Sequence, residues 1–300
     1  MDFVSVTDLG SEGLAQVLTS AAAVKADGGG VADALAGKKV GLFFEKPSTR
    51  TRVSCEVATI ELGATPVVLK QDEVGLGKRE AVEDVARTLD RYLDVLALRV
   101  FRHTDLETIA ANAEAPVINL LSDLEHPCQA AADLQTLAEA RPLEGAVIGF
   151  VGDGNNVCHS LLLASAMSGV SVRVACPPGF EPRDDVLSAA RAAAAAGVEL
   201  SVTHDIAEAV QGADAVYTDV WASMGQEDET ADRLRTFEPF RVDEAVFGMA
   251  GPEAIFLHCL PAHRGEEVTH EVLEHERSRV FDQAENRLHA FKAILLHLAA

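Results

Sequence analysis

The chain has 300 residues, 48% hydrophobic and 24% charged, which is ordinary globular usage and excludes a disordered chain. Lysine and arginine total 25 against 47 aspartate and glutamate, a formal net charge of -22, so a nucleic-acid groove or an anionic-membrane surface is a poor fit. The length suits two domains, or one large α/β unit.

Short apolar runs alternate with segments of helical period. Strands are predicted over 39–44, 65–69, 95–98 and 117–120, then over 147–151, 170–175, 199–202, 215–218 and 255–257. Helices are predicted between them, over 50–62, 80–91, 105–113, 129–140, 156–168 and 184–196, and finally over 284–298. Continuous apolar strands separated by helices imply parallel sheets covered on both faces. The alternation breaks once, at Arg141-Pro142-Leu143-Glu144-Gly145, a linker-like stretch. The expected fold is therefore α/β, with two doubly wound parallel-sheet domains, one over 1–140 and one from 141 onward.

Lysine occurs only at positions 25, 38, 39, 46, 70, 78 and 292. A lysine-poor, acid-rich surface suits concentrated salt, where the Debye length falls to roughly 3 Å at 1 M and self-repulsion is blunted. One reading is a halophile's cytoplasmic protein; the other is a merely acidic mesophilic one. Five scattered cysteines (Cys55, Cys128, Cys158, Cys176, Cys259) form no CxxC pair, so neither a disulfide framework nor a zinc ribbon is expected. Met1-Asp2-Phe3 does not open a basic-then-apolar signal peptide, and no run of about 18 apolar residues occurs. The expectation is a reduced, soluble, cytoplasmic chain.

The residues that carry chemistry sit just after predicted strands. Ser48-Thr49-Arg50-Thr51-Arg52 follows the first strand and opens a helix. Two N-cap hydroxyls, free backbone N–H groups and guanidinium groups make an anion site, although GxxxxGK[ST] is absent. An ordinary capped helix with surface arginines is the plain alternative. Arg99 ends the third strand, and His126-Pro127-Cys128-Gln129 opens the helix after the fourth. An imidazole and an amide there can both donate to a carbonyl oxygen.

The second half carries its own set. Gly152-Asp153-Gly154-Asn155-Asn156 allows a tight strand-to-helix turn, but it is not GxGxxG and no acidic ribose partner follows at the expected offset. Asp219-Val220-Trp221-Ala222-Ser223-Met224-Gly225 follows another strand; Asp219 suits an ammonium group, and the turn at Gly225 suits a mobile loop. His258-Cys259-Leu260-Pro261 ends the last strand, where Cys259 is either a nucleophile or a buried thiol. Together these groups are expected at the carboxyl edges of two parallel sheets around one cleft, anion-binding on one side and amine-binding on the other.

In this order the segments resemble the carbamoyltransferases, specifically those acting on ornithine. The likeness spans nearly the whole chain: the Ser48–Arg52 run, His126-Pro127-Cys128-Gln129, the Asp219–Gly225 loop, His258-Cys259-Leu260-Pro261 and Gln283-Ala284-Glu285-Asn286-Arg287. Aspartate carbamoyltransferases share the first two motifs, but lack Ser-Met-Gly and carry HPLP where this chain has HCLP. The resemblance implies transfer of the carbamoyl group of carbamoyl phosphate to the δ-amine of L-ornithine, with no metal or cofactor. It implies that Ser48, Thr49, Arg50 and Thr51 bind phosphate, and that Arg99, His126 and Gln129 bind and polarise the carbamoyl carbonyl. It further implies that Asn156, Asp219, Ser223 and Met224 hold ornithine, that Cys259 and Leu260 lie beside the reacting amine, and that Arg287 reaches the carbamoyl group or phosphate. On the same basis the first domain, 1–140, binds carbamoyl phosphate and is completed by the helix 284–300, while 141–283 binds ornithine. A homotrimer with shared sites is implied as well, and 72–80 resembles the loop that a neighbouring subunit lends to the site. There, Lys78 or Arg79 reaches the phosphate of the adjacent chain, or both are solvated charges; many ornithine enzymes have Gln or His where Gly75 aligns. The readings left open are carbamoyl transfer to another amine (acylated ornithine, putrescine or aspartate), a non-catalytic paralogue, and a dinucleotide-binding dehydrogenase.

Overall fold

A computed structural model describes residues 1–27, 30–222 and 230–299. The chain divides into two compact units, Met1–Ala132 with Glu285–Ala300, and Asp133–Ala284. Nine strands in two sheets account for all strands among the described residues.

The first unit is built on β1 (Lys39–Phe44), β2 (Thr65–Lys70), β3 (Val95–Arg99) and β4 (Val117–Leu121), in the order β2-β1-β3-β4, every neighbouring pair parallel. The second is built on β5 (Val147–Val151), β6 (Ser171–Ala175), β7 (Leu200–Thr203), β8 (Ala215–Thr218) and β9 (Ile255–His258), in the order β7-β6-β5-β8-β9, again parallel throughout. This is the α/β architecture expected from apolar strands alternating with helices. β4, β8 and β9 are buried along their whole length, whereas the edge strands β2 and β7 are largely half-exposed.

Both orders contain one reversal, between β1 and β3 in the first sheet and between β5 and β8 in the second. At such a switch point the connections leave to opposite faces and open a crevice at the carboxyl ends of the strands. The segments after β1, β3, β5 and β8 are among those that the sequence marks as chemical; the others follow the edge strands β4 and β9.

Several short helices are not among the predicted ones, and the two longest helices also differ from expectation. A helix at Gly10–Asp27 has no counterpart among the predicted elements, although Leu14, Val17, Ala21 and Val24 recur at helical spacing and are buried. The final helix runs Val280–Ala299, starting before 284, so that Gln283 is helical and fully buried. Residues 285–300 join the first unit: Lys25 donates to Asn286 Oδ1 at 2.9 Å, and Lys292 pairs with Glu61.

The turn after β5 depends on its glycines. Gly152 has φ 144°, in the region that favours glycine. Gly154 packs directly on the 181–182 backbone; a Cβ there would lie 2.2 Å from Pro182 N and 2.5 Å from Glu181 C. Backbone cannot yield as a flexible side chain would. Gly154→Ala is therefore expected to destabilise the chain by about 1–3 kcal/mol in urea unfolding; an unchanged midpoint would contradict this packing.

Candidate active site

In the first unit, Ser48 caps the helix Thr49–Glu61. Its backbone is extended, and its Oγ accepts from the N–H of Thr51. Ser48 Oγ also lies 3.1 Å from Thr51 Oγ1. Thr49 is exposed and Arg50 half-buried in the first turn, while Thr51 is fully buried. Thr51 Oγ1 accepts from Arg287 Nη2 at 2.9 Å. The same guanidinium donates through Nη1 to Gln129 Oε1 at 2.7 Å and approaches His126 Nε2 at 3.5 Å. Arg287 thus gathers three of the predicted residues from two other segments, although 236 and 158 positions separate it from Thr51 and Gln129.

This arrangement fixes atom roles. Guanidinium is only a donor, so Gln129 must present Oε1 to it, which leaves the amide's Nε2 as its donor end. Burial, reinforced by the positive charges of Arg287 and Arg99, holds the His126 pKa well below the usual imidazole range. A neutral ring whose Nε2 faces a guanidinium carries its proton on Nδ1. Arg99 is half-buried at the end of β3, in register with Phe44 of β1. The site therefore joins cationic groups to neutral donors.

Beside the capped helix lies a cleft of 640 Å³, whose lining includes Ser48, Thr49, Arg52, Gln71 and Lys78. The loop around 71–80 is pinned by Gln71, which donates to the Leu76 carbonyl and accepts from the Leu76 N–H, both at 3.2 Å. Arg79 donates to the Glu73 carbonyl at 2.8 Å and to Glu80, so its charge is engaged within its own loop. Lys78 instead borders the cleft that Ser48 and Thr49 of the same chain also line.

The second unit holds the other set. Asp219, buried just after β8, accepts from Asn155 Nδ2 at 2.9 Å and from Cys259 Sγ at 2.9 Å. Asn155 is also the N-cap of the helix Asn156–Met167, its Oδ1 accepting from the N–H groups of Val157 and Cys158. Asn155 is thus tied both to its helix and to Asp219. Asn155 is not among the site residues expected from the sequence, although an Asx residue directly before a helix is a capping signal. Ser223 and Met224 lie outside the described residues. Just before them, the Trp221 carbonyl accepts from Arg233 Nε at 2.5 Å, and Arg233 also pairs with the buried Asp153 of the glycine turn. No motif spacing marked Arg233.

After β9, the His258 ring is locked. Its Nδ1 accepts from the Leu260 N–H at 2.8 Å, so its Nε2 carries the proton, facing Glu267 Oε1 at 3.2 Å. Leu260 has φ 57°, a left-handed conformation that an L side chain adopts at a cost of roughly 1–3 kcal/mol and that clusters at functional turns. Cys259 is half-buried, whereas the other four cysteines are buried; burial pushes the Cys55 thiol up to about 12 and, with Glu181 adding to it, Cys176 up to about 12. Asp219, His258 and Cys259 could converge on a metal ion, but the thiol-to-carboxylate hydrogen bond already satisfies two of them.

The depressed His126 pKa makes stability pH-dependent. In the unfolded chain the imidazole takes up its proton near pH 6.5, whereas the folded chain resists it. Protonation therefore favours unfolding: this contribution is complete above about pH 6.5 and is lost as pH falls below it, by up to about 1.4 kcal/mol per unit. His126→Gln is expected to lose less stability than the wild type between about pH 7.5 and about pH 5.5 in urea unfolding. Parallel losses would contradict a buried neutral His126.

The family model described as "Aspartate/ornithine carbamoyltransferase, carbamoyl-P binding domain" matches residues 1–139, and that described as "Aspartate/ornithine carbamoyltransferase, Asp/Orn binding domain" matches residues 144–298. The chain is 52% identical over 298 residues to the ornithine carbamoyltransferase of Parasynechococcus marenigrum, covering 99% of this chain and 93% of that one. Among solved structures, the ornithine carbamoyltransferase of Pyrococcus furiosus superposes with a TM-score of 0.95 at 45% identity, covering 99% of this chain and 96% of that chain. That of Thermus thermophilus superposes with a TM-score of 0.90 at 46% identity, covering 100% and 99%. Matched from end to end in sequence and fold, the chain belongs to the aspartate/ornithine carbamoyltransferase family.

Proposed function

We propose that the chain transfers the carbamoyl group of carbamoyl phosphate to the δ-amine of L-ornithine, giving L-citrulline and phosphate. The observation that carries this reading is the buried Arg287–Gln129–Thr51–His126 cluster beside a capped helix N-terminus, together with an Asp219–Cys259 pair in the other unit. In this reading the domain 1–140 with 284–300 binds the donor, and 141–283 binds ornithine.

The chemistry follows from the donors. Ser48, Thr49, Arg50 and Thr51, with the first-turn N–H groups, bind the phosphate. The carbonyl oxygen takes hydrogen bonds from Gln129 Nε2 and the His126 N–H, with Arg99 and Arg287 supplying positive charge. The neutral δ-amine attacks the carbonyl carbon; the C–O bond to phosphate breaks as the N–C bond forms, and the amine's proton passes to the departing phosphate. Charge grows on the carbonyl oxygen and the departing phosphate, where these cationic groups stabilise it. A neutral His126 donates without opposing loss of the amine's proton. Asp219, with Asn156, Ser223 and Met224, orients the amino-acid end of ornithine, while Cys259 and Leu260 border the reacting amine. Cys259, hydrogen-bonded to a carboxylate, orients or polarises; it is not a covalent nucleophile.

Three broader readings accompany this. Family resemblance supports a homotrimer with shared sites and a place in arginine metabolism. The 47 acidic residues against 25 basic support a cytoplasmic setting in concentrated salt. Ornithine is favoured over acylated ornithine, putrescine and aspartate, because an acid at Asp219 matches a free α-ammonium group, and the HCLP and Ser-Met-Gly segments match the ornithine pattern.

Release of phosphate and formation of the matching carbamoylated amine from carbamoyl phosphate and each amine, assayed in molar salt, tests the assignment, citrulline being the product with ornithine. Ornithine is expected to exceed each alternative in kcat/KM by at least 100-fold, the scale of discrimination available when buried polar groups would otherwise be left unpaired. A higher kcat/KM for any other amine, or no citrulline from a folded chain, would overturn it.

A further inference from the structure

The segment Gln283–Arg287 contributes more than Arg287. Gln283 is fully buried, as are Asp133 and Tyr217. Its side-chain amide is held at both ends: Oε1 accepts from the backbone N–H of His258 at 2.9 Å, and Nε2 donates to Asp133 Oδ1 at 2.6 Å. The second Asp133 oxygen accepts from Tyr217 OH at 3.2 Å. Burial first, and then the Asp133 charge, push the Tyr217 phenol well above its ordinary pKa, so it stays a donor.

The place where this amide bonds is what matters. β9 is an edge strand, with β8 on one side only. On its other side, backbone from 277–279 supplies partners at Phe256: the Phe256 N–H donates to the Arg277 carbonyl at 3.1 Å, and the Arg279 N–H donates to the Phe256 carbonyl at 2.9 Å. At His258, two residues on, that backbone has given way to the start of the final helix, and the Gln283 side chain takes over. A buried backbone N–H left unsatisfied would cost about 1–3 kcal/mol. His258 is also the last residue before Cys259, whose thiol meets Asp219 at 2.9 Å.

We infer that Gln283 is a positioning residue of the reaction: by tying the His258 N–H to Asp133 and Tyr217, it fixes the end of β9 and thereby the seat of Cys259 against Asp219. This rests on the ornithine reading above, because it takes Cys259 to border the reacting amine. The amide acts through the strand end and touches no substrate.

Two variants and two readouts test it, on the full chain in molar salt. Gln283→Met keeps the size but loses both bonds. Gln283→Glu keeps the acceptor for the His258 N–H and shares one proton with Asp133. Gln283→Met is expected to lower kcat with ornithine by about ten- to a hundred-fold, the scale of a small misplacement at a reacting centre. KM for carbamoyl phosphate should change less than about two-fold, because the donor-binding groups lie in the other unit. Gln283→Glu should recover most of kcat. Independently of turnover, the half-buried Cys259 should react faster with a thiol reagent in Gln283→Met, and at the wild-type rate in Gln283→Glu. Peptide mass analysis confirms that the buried cysteines stay unlabelled and the chain folded. If Gln283→Met does not fold, Asp133→Asn, which weakens the same anchor, carries the comparison. Wild-type kcat and labelling in Gln283→Met, or equal impairment of the two variants, would overturn the inference. Absence of citrulline from the wild type would instead remove the ornithine reading, while the labelling comparison would still decide the positioning.

Discussion

The first-unit site depends on one buried cation. Arg287 is 5% exposed, and its guanidinium is spread over Gln129, Thr51 and His126. Taking such a charge out of water is costly unless good acceptors meet it. Here two neutral oxygens and an imidazole nitrogen do so, and no carboxylate neutralises it among these contacts. The positive charge therefore stays available to an anionic or oxyanionic ligand. Burial first, and then this charge and that of Arg99, hold the His126 pKa well below the usual imidazole range. One residue thus sets the field of the site and reinforces what burial does to its imidazole.

That cation is useful only because the sheets bring their loops to the right edge. In both units the functional segments lie at the carboxyl ends of strands, some beside the reversal of strand order and some at the edge strands β4 and β9. Parallel strands buried on both faces provide a rigid frame, and the turns at their ends carry the chemistry. Local devices finish the work. Ser48 and Asn155 cap helices while facing chemistry, and Leu260 adopts a left-handed backbone that the His258 ring stabilises through the Leu260 N–H. A side chain that both ends a helix and orients a functional group is constrained twice.

Much of this was legible in the sequence. Strand positions followed from continuous apolar runs, and the boundaries of β1, β5 and β8 coincide with the predicted ones. Long-range pairing was harder to read. Nothing in spacing tells that Arg287 meets Thr51, 236 positions away, or that Gln283 meets the His258 N–H, 25 positions away, because both contacts depend on how the final helix packs. Asn155 and Asn156 are identical in type, and only the cap geometry reveals that Asn155 bonds to Asp219. Net charge was the most misleading quantity. It describes the solvent-facing surface, whereas the cluster at Arg287 is locally cationic inside a chain of net charge -22.

In the proposed reaction a forked, buried guanidinium at Arg287 binds and stabilises the carbamoyl donor. Arg287→Lys tests this most directly, since it keeps the charge but cannot reach Gln129 and Thr51 together. Measured as citrulline formation at saturating ornithine, kcat/KM for carbamoyl phosphate should fall on the order of 100-fold or more, with helical content unchanged. A folded Arg287→Lys chain with the wild-type kcat/KM would contradict it.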